Sequence, residues 1–513
     1  MHRMAILGSS AWVAVVCVAG AVLECSVPWL VSTAYAQASH APGGPYQATG
    51  FKIGEVTCDG AVIWTRTTLR PEPNPADAPM PTFVYTGGRA YQPDIHGRRG
   101  RMKGRIIAVT YPEGTSARDI RFAVPGTPGQ TRVLYRPEPP GLAEWQATPW
   151  TAVDPAADFI RQVKLTGLEP NTRYLVRVET RSPAGRAGQS LDGRFLTAPA
   201  PDVSARVVFA VSTGQMFAHQ DCPEGFQIYR SILKLRPSFF VHTGDIVYYD
   251  RLAKTVDLAR WHWQRTYSLP SNVAFHRQVA SYFIKDDHDT WRDDCWPAMQ
   301  SSSMFQFTFD QGRRLFLQEV PMGERTYRRF RWGKDLEIWL VEGRDFRSPN
   351  PMPDGPDKTI WGREQKAWLQ RTVAASDATF RVLISPTPIV GPDRDSKHDN
   401  HSNKDFKHEG DEIRRFISRQ ENMVVVCGDR HWQYHSVDLE TGVREYSCGP
   451  ASDRHAGGWR QDDFRPQYHR FLKVAGGFLT GTAERDADGV PTLAFRFHDV
   501  DGQVRYEDIL RAQ

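Results

Sequence analysis

An α/β (α+β) fold of sheet layers flanked by helices, preceded by an all-β segment, is predicted by three observations on the 513-residue chain. From residue 46 to 197 the pattern is of strand type, short apolar runs broken by Pro, Gly and Asn. After Ala198-Pro199-Ala200-Pro201 it becomes apolar runs alternating with segments of helical period, the pattern of a sheet covered by helices. Three of those runs end in acidic motifs: Gly244-Asp245-Ile246-Val247-Tyr248, Asp286-Asp287-His288-Asp289 and Gly428-Asp429-Arg430-His431. In an open sheet such strand ends converge on one edge, where sites form.

Residues 1–36 have the marks of an export signal: Arg3, an apolar stretch from Ala11 to Leu23, and the small-x-small cleavage site Ala34-Tyr35-Ala36. The uncharged stretch is at the short end for a membrane span, so a periplasmic or extracellular protein is expected, with no stable span after cleavage. Residues 60–67 alternate as a half-buried strand with Val62 and Trp64 on one face. Residues 165–178 read as a corner followed by a strand, with Tyr174 turning its hydroxyl back to the backbone as in a fibronectin III or immunoglobulin-like sandwich. Between these lies an insertion, residues 69–149, with candidate strands at 105–110 and 131–135. Downstream, strands are expected at 207–211, 239–242, 337–341, 380–384 and 423–427, helices at 225–235, 252–267, 309–319, 362–372 and 412–419, and a terminal hairpin over 477–510 turning at Asp501-Gly502.

A hydrophobic content of 40% supports substantial cores, and the net charge of +5 is mild. The run Arg98-Arg99-Gly100-Arg101-Met102-Lys103-Gly104-Arg105 suits an exposed hairpin better than a nucleic-acid site. Of seven cysteines, Cys17 and Cys25 fall in the signal, leaving five without CxxC spacing, so neither a disulfide framework nor a zinc signature is present. No glycine-rich loop opens a helix after a strand, which excludes the usual nucleotide-binding dehydrogenases and kinases.

Aspartate after a strand commonly caps the next helix. Three acidic motifs together, with His288 and His431 close to acids, favour a metal-assisted hydrolase. A pair of ions about 3.5–4 Å apart needs a bridging carboxylate and unlike ligands on each side. Asp245 is the candidate bridge, Tyr248 and His431 the candidates for one ion, Asp287 and Asp429 for a second, oxygen-preferring ion. Trp261, Trp263, Trp291 and Trp296 either wall this site or are packed in the core, and residues 393–410, with His398, His401 and His408, form either a lid or a solvated loop.

The pattern Gly-Asp-x-x-Tyr, Asp-Asp-His-acid and Gly-Asp-x-His resembles the alkaline phosphatase D (PhoD-like) family of the calcineurin-like metallophosphoesterases. Glu342-Gly343-Arg344-Asp345-Phe346-Arg347 resembles its Asp-x-Arg-x-x-Arg element, and residues 362–369 its following helix. The resemblance implies an amino-terminal β-sandwich over residues 45–199 and a metallophosphatase catalytic domain over 203–513. It implies two ions, iron held by Asp245, Tyr248 and His431 and calcium shared by Asp245, Asp287 and Asp429. It also implies catalytic roles for His288, beside the phosphoryl group, and for Arg344 on phosphate oxygens, with Arg347 and Asp294 as second-line candidates. The partner implied is a phosphate ester, a monoester or a diester, hydrolysed by a hydroxide generated between the ions, with no nucleic acid. One position departs from the pattern: where family members often carry a cysteine ligand, Val211-Ser212-Thr213-Gly214-Gln215 has Gly214. Water, or a residue of the stretch 219–224 such as Cys222, is then expected to fill the place. The same gap supports an alternative reading, a non-catalytic surface binding protein with a degenerate metal site.

Overall fold

The structure is a computed structural model that describes residues 43–93, 104–138 and 144–512. The export signal and most of the arginine-rich run lie outside the described residues. Parallel strands Val207–Ser212, Phe239–His242 and Ala280–Phe283 form the centre of a nine-stranded sheet. These are short apolar runs, as expected of strands buried on both faces. A seven-stranded sheet faces it, with Leu336–Leu340, Phe380–Ser385, Met423–Cys427 and Arg444–Cys448 parallel at its centre. One apolar core fills the space between, holding Phe209, Phe239 and Tyr282 from the first sheet against Ile338, Val382 and Tyr446 from the second. Helices such as Gln227–Leu235, Gly362–Ala374 and Lys407–Ile417 pack on the outer faces through their own clusters.

The front segment does not stand apart from this sandwich. Phe51–Gly54 pairs in parallel with Ala280–Phe283, Gly54 opposite Ser281, and Gly60–Arg66 and Ile160–Thr166 continue the same sheet to its edge. The five-stranded sheet built on Gln130–Pro137, Arg173–Arg181 and Ala187–Leu196 joins the same core through Val133, Val176 and Val178. Tyr174 makes the expected corner, its hydroxyl accepting a hydrogen bond from the Glu169 amide at 2.9 Å. Gly60–Arg66 differs from the half-buried strand read from its alternation: every residue but Val62 is buried, because the strand lies inside the sheet. Residues 43–512 thus fall in one compact unit.

Two further expectations change. The terminal hairpin is a three-stranded meander, Phe478–Arg485, Pro491–His498 and Val504–Arg511, whose first strand pairs with Val207–Ser212 and so completes the sheet. Residues 393–410 are not a wholly solvated loop: Asp399, Asn400 and His401 are fully buried, while His398 and His408 are exposed. Helix boundaries move by up to five residues, the helix read at 412–419 being Lys407–Ile417. Thr255 caps Val256–Tyr267 by accepting from the Leu258 amide, which separates it from a short turn at Tyr249–Leu252, and Phe309–Glu319 falls where it was read.

Candidate metal centre

All three acidic motifs leave strands at the same edge of the two sheets. Gly244 makes the first possible: its φ is +111°, and a Cβ there would lie 2.6 Å from the Asp286 Cβ, so only glycine lets the two motifs approach. Asp245 and Asp429 are both left-handed, at φ 57° and 59°, a conformation that costs non-glycine residues free energy and is concentrated at functional sites.

Asp245 is buried, and its two oxygens face different groups. Oδ2 accepts from the Tyr248 hydroxyl at 3.0 Å and lies 3.4 Å from His431 Nε2, while Oδ1 has no hydrogen-bond partner. Ligand atoms of Asp245, Asp287 and His288 all lie within 4.8 Å of one another, and those of Asp287, Asp293 and Asp294 form a second such group. Burial, reinforced by Asp287, Asp286 and Asp289, holds the Asp245 carboxyl well above its ordinary pKa despite the opposing pull of His288. Burial first, then Asp245, raises the Tyr248 phenol, and burial pushes His431 down to about 3, leaving its imidazole neutral and its lone pair free to coordinate. Converging buried carboxylates, an orphaned carboxylate oxygen, a phenol and a neutral imidazole are a donor set completed by cations, which reverse these shifts. The residues therefore fit the implied metals.

The four residues of the second motif divide their work. Asp289 accepts from the amides of Asp286 and Ile246 at 2.6 and 3.0 Å, fastening the second motif to the first, so here the capping role is real. Asp287 and His288 face the centre. His288 packs against Tyr248 with ring centroids 4.4 Å apart and planes tilted by 35°, and its Nδ1 lies 2.6 Å from Asp250 Oδ1, leaving Nε2 toward the site. Burial opposes a charge on His288, but Asp250, Asp287 and Asp245 outweigh it and raise its pKa well above the ordinary value.

Other sequence candidates are placed differently. Arg344 has no exposed surface: its Nε donates to Asp286 Oδ1 at 2.6 Å, with Asp399 at 3.6 Å and Asp287 at 3.8 Å. It is wholly buried against these carboxylates, and its Nη1 and Nη2 have no hydrogen-bond partner. Arg347 is also buried and donates to Asn350 Oδ1 and the Asp399 carbonyl. The Asp429 carboxylate ion-pairs with Arg430 and is absent from both carboxylate groups. Asp294 joins Asp287 and Asp293 but also pairs with Lys397 at 2.6 Å, and burial raises its carboxyl to about 7. Cys222 closes a turn onto the Gly225 carbonyl, and all five cysteines of the described residues are free thiols. Trp261, Trp263 and Trp291 are core residues, with indole N–H groups donating to the Arg121 carbonyl, the Tyr249 hydroxyl and the Phe307 carbonyl.

Two residues at the centre escaped the sequence reading, Asp250 and His455, while His219 lies in the stretch 219–224 that was expected to fill the place left by Gly214. Asp250 follows the first motif by two residues. His455 follows the strand Arg444–Cys448, whose end reaches the same edge as Cys427; that fourth strand end was the missed signal.

Two facing sheets, helices outside and a carboxylate-rich centre at the shared strand ends define a metallophosphoesterase-like fold. A solved structure of PhoD superposes with a TM-score of 0.68 at 16% identity, covering 92% of each chain. The purple acid phosphatase PPD1 from yellow lupin (Lupinus luteus) seeds gives 0.57 at 12% identity, over 88% of this chain and 93% of that one. Residues 209–459 match the family model for PhoD-like phosphatase, and this part of the chain belongs to that family. It is 22% identical over 337 residues to alkaline phosphatase D of Bacillus subtilis (strain 168), and spans about half the length of that relative, 54%.

Proposed function

We propose that this chain is an exported phosphoesterase that hydrolyses phosphomonoesters, phosphodiesters or both at a centre of two metal ions, with the chemistry carried by residues 203–513. The observation that carries the reading is Asp245, a buried carboxylate with one oxygen toward Tyr248 and His431 and the other unpartnered, its carboxylate grouped with Asp287 and His288. Such a carboxylate can serve two ions at once. Tyr248 and His431 would hold one ion, and Asp287, with Asp293 and Asp294 near it, the other. When bound, the ions supply the positive charge that lowers the pKa of a water molecule and neutralises phosphoryl oxygens.

The residues around them set the geometry. Asp250 fixes the His288 ring, so that Nε2 can donate to a phosphoryl or leaving-group oxygen. Arg344 keeps Asp286 and Asp287 in place by compensating their charge. The export reading rests on the signal-like residues 1–36, and among the described residues no helix is long and apolar enough to cross a membrane.

Asp245→Asn should lower hydrolysis of a model phosphomonoester and a model phosphodiester by at least about 100-fold, a loss of roughly 2.7 kcal/mol of transition-state stabilisation, and reduce bound metal while the fold is kept. Full hydrolysis by a metal-stripped sample would overturn the proposal.

A further inference from the structure

The Tyr248 hydroxyl is approached by more donors than the sequence motifs supply. Asp245 Oδ2 lies at 3.0 Å and His431 Nε2 at 3.4 Å, but nearest is His455 Nε2 at 2.5 Å. The rings of His431 and His455 have centroids 4.1 Å apart, and both Nε2 atoms reach the phenol oxygen. Two imidazole nitrogens and a carboxylate oxygen thus lie within 3.4 Å of the phenol oxygen, and together with it they are the N/O donor types that a four-coordinate transition metal takes.

The tautomer agrees. His455 Nδ1 lies 2.8 Å from His219 Nδ1, a separation that requires one nitrogen to donate and the other to accept. If His455 Nδ1 carries the proton and donates to His219, its Nε2 has the lone pair, which a phenol O–H or a cation can occupy. A ligating histidine held through its other nitrogen is the usual arrangement around bound metals.

The backbone holds His455 in place from both sides. Ala451 N donates to the Gly214 carbonyl at 3.1 Å, Gly457 N donates to the His431 carbonyl at 2.9 Å, and Ser452 Oγ donates to the His219 carbonyl at 2.6 Å. Space then accounts for Gly214. A Cβ at that position would lie 3.1 Å from His455 Cδ2 and 3.3 Å from His431 Nε2, so the imidazole of His455 stands where a side chain on residue 214 would point.

We infer that His455 is a ligand of the first metal, together with Asp245, Tyr248 and His431, and that His219 is the positioning residue that fixes its tautomer. The centre is therefore completed by a second imidazole without a thiolate. This rests on the two-metal reading above.

The test is metal content of the purified full-length exported protein, loaded separately with iron and zinc and desalted. Wild type should retain about two ions per chain. His455→Ala should lose one of them with its circular dichroism unchanged. Gly214→Cys combined with His455→Ala, which puts a thiol into the vacated space, should recover the lost ion. His219→Ala should weaken that ion by about 10–100-fold in a chelator competition, and His219→Asn, which keeps an acceptor near Nδ1, should recover most of the loss. In the iron-loaded protein, the tyrosinate absorption band should disappear with His455→Ala. Retention of both ions with an unchanged band in His455→Ala would overturn the inference and leave the two-metal reading standing. A wild type that binds no metal would overturn that reading itself.

Discussion

Arg344→Met removes a buried guanidinium from three carboxylates, at 2.6 Å to Asp286, 3.6 Å to Asp399 and 3.8 Å to Asp287. All four side chains are buried, with 0% exposure for Arg344, Asp286 and Asp399, so water cannot take over the lost interaction. Removing one partner of such a pair typically costs about 3–5 kcal/mol, because the remaining charge must stay buried without compensation. That is roughly two to four decades in the folding equilibrium. The midpoint of thermal unfolding should fall by several degrees. Arg344→Lys should recover part of the loss, since it restores the charge but not the directed Nε–H donor. The assay is thermal and urea unfolding of wild type and both variants, each paired with hydrolysis kinetics at a temperature where all remain folded. A substrate-gripping arginine would give the reverse pattern. Unchanged stability in Arg344→Met together with a large rise in KM would refute the internal ion-pair reasoning.

Two further outcomes are expected. Asp250→Asn should lower kcat by about 10–100-fold with little change in bound metal, because it weakens the group that orients His288; stopped assays with elemental analysis check this, and unchanged kcat would remove Asp250 from the site. His469 accepts the Arg465 amide at Nδ1 and is buried, so burial first, then Arg465, depresses its pKa to about 4. A folded pKa below the unfolded value means that the unfolded chain binds the extra proton, so the stability contribution is complete above about 6.5 and is lost as pH falls toward 4. His469→Asn keeps an acceptor without the titration, and it should lose less stability than wild type between pH 6.5 and 4.5, by about 2 kcal/mol or less; parallel melting curves across that interval would refute this.

The parallel strands were legible because apolar runs such as Phe239–His242 and Met423–Cys427 are buried on both faces and end at acidic motifs. The acids at those ends were legible as a group for the same reason. Their division of labour was not. Asp286, Asp287 and Asp289 are near neighbours in sequence, yet one pairs with Arg344, one faces the centre and one caps two amides, and only the direction of each side chain separates these roles. The burial of Arg344 was not legible because one of its carboxylate partners, Asp399, lies 55 positions away. His455 was hidden because it belongs to no acidic motif and reaches Tyr248 from the end of a fourth strand. The front segment was read as separate because the proline-rich linker marks a boundary in the chain but not in the sheet.

That shared sheet has a consequence for assembly. Phe51–Gly54 finds its parallel neighbour only at Ala280–Phe283, and Ile160–Thr166 is joined to the centre solely through it. Pairing across more than two hundred residues carries a loop-closure cost met late, so the front strands have an open edge until the second acidic motif has been synthesised. The bonds that then lock this edge are specific: Lys52 donates to the Glu319 carbonyl, Trp64 to the Gln318 carbonyl, and Arg328 to Glu55. Cutting at the linker would uncover Ala280–Phe283 as an unpaired apolar edge beside the proposed metal ligands, a template for aggregation. The front segment thus serves the catalytic centre as its last supporting strand, and the shortest chain expected to fold into a working site begins before Phe51.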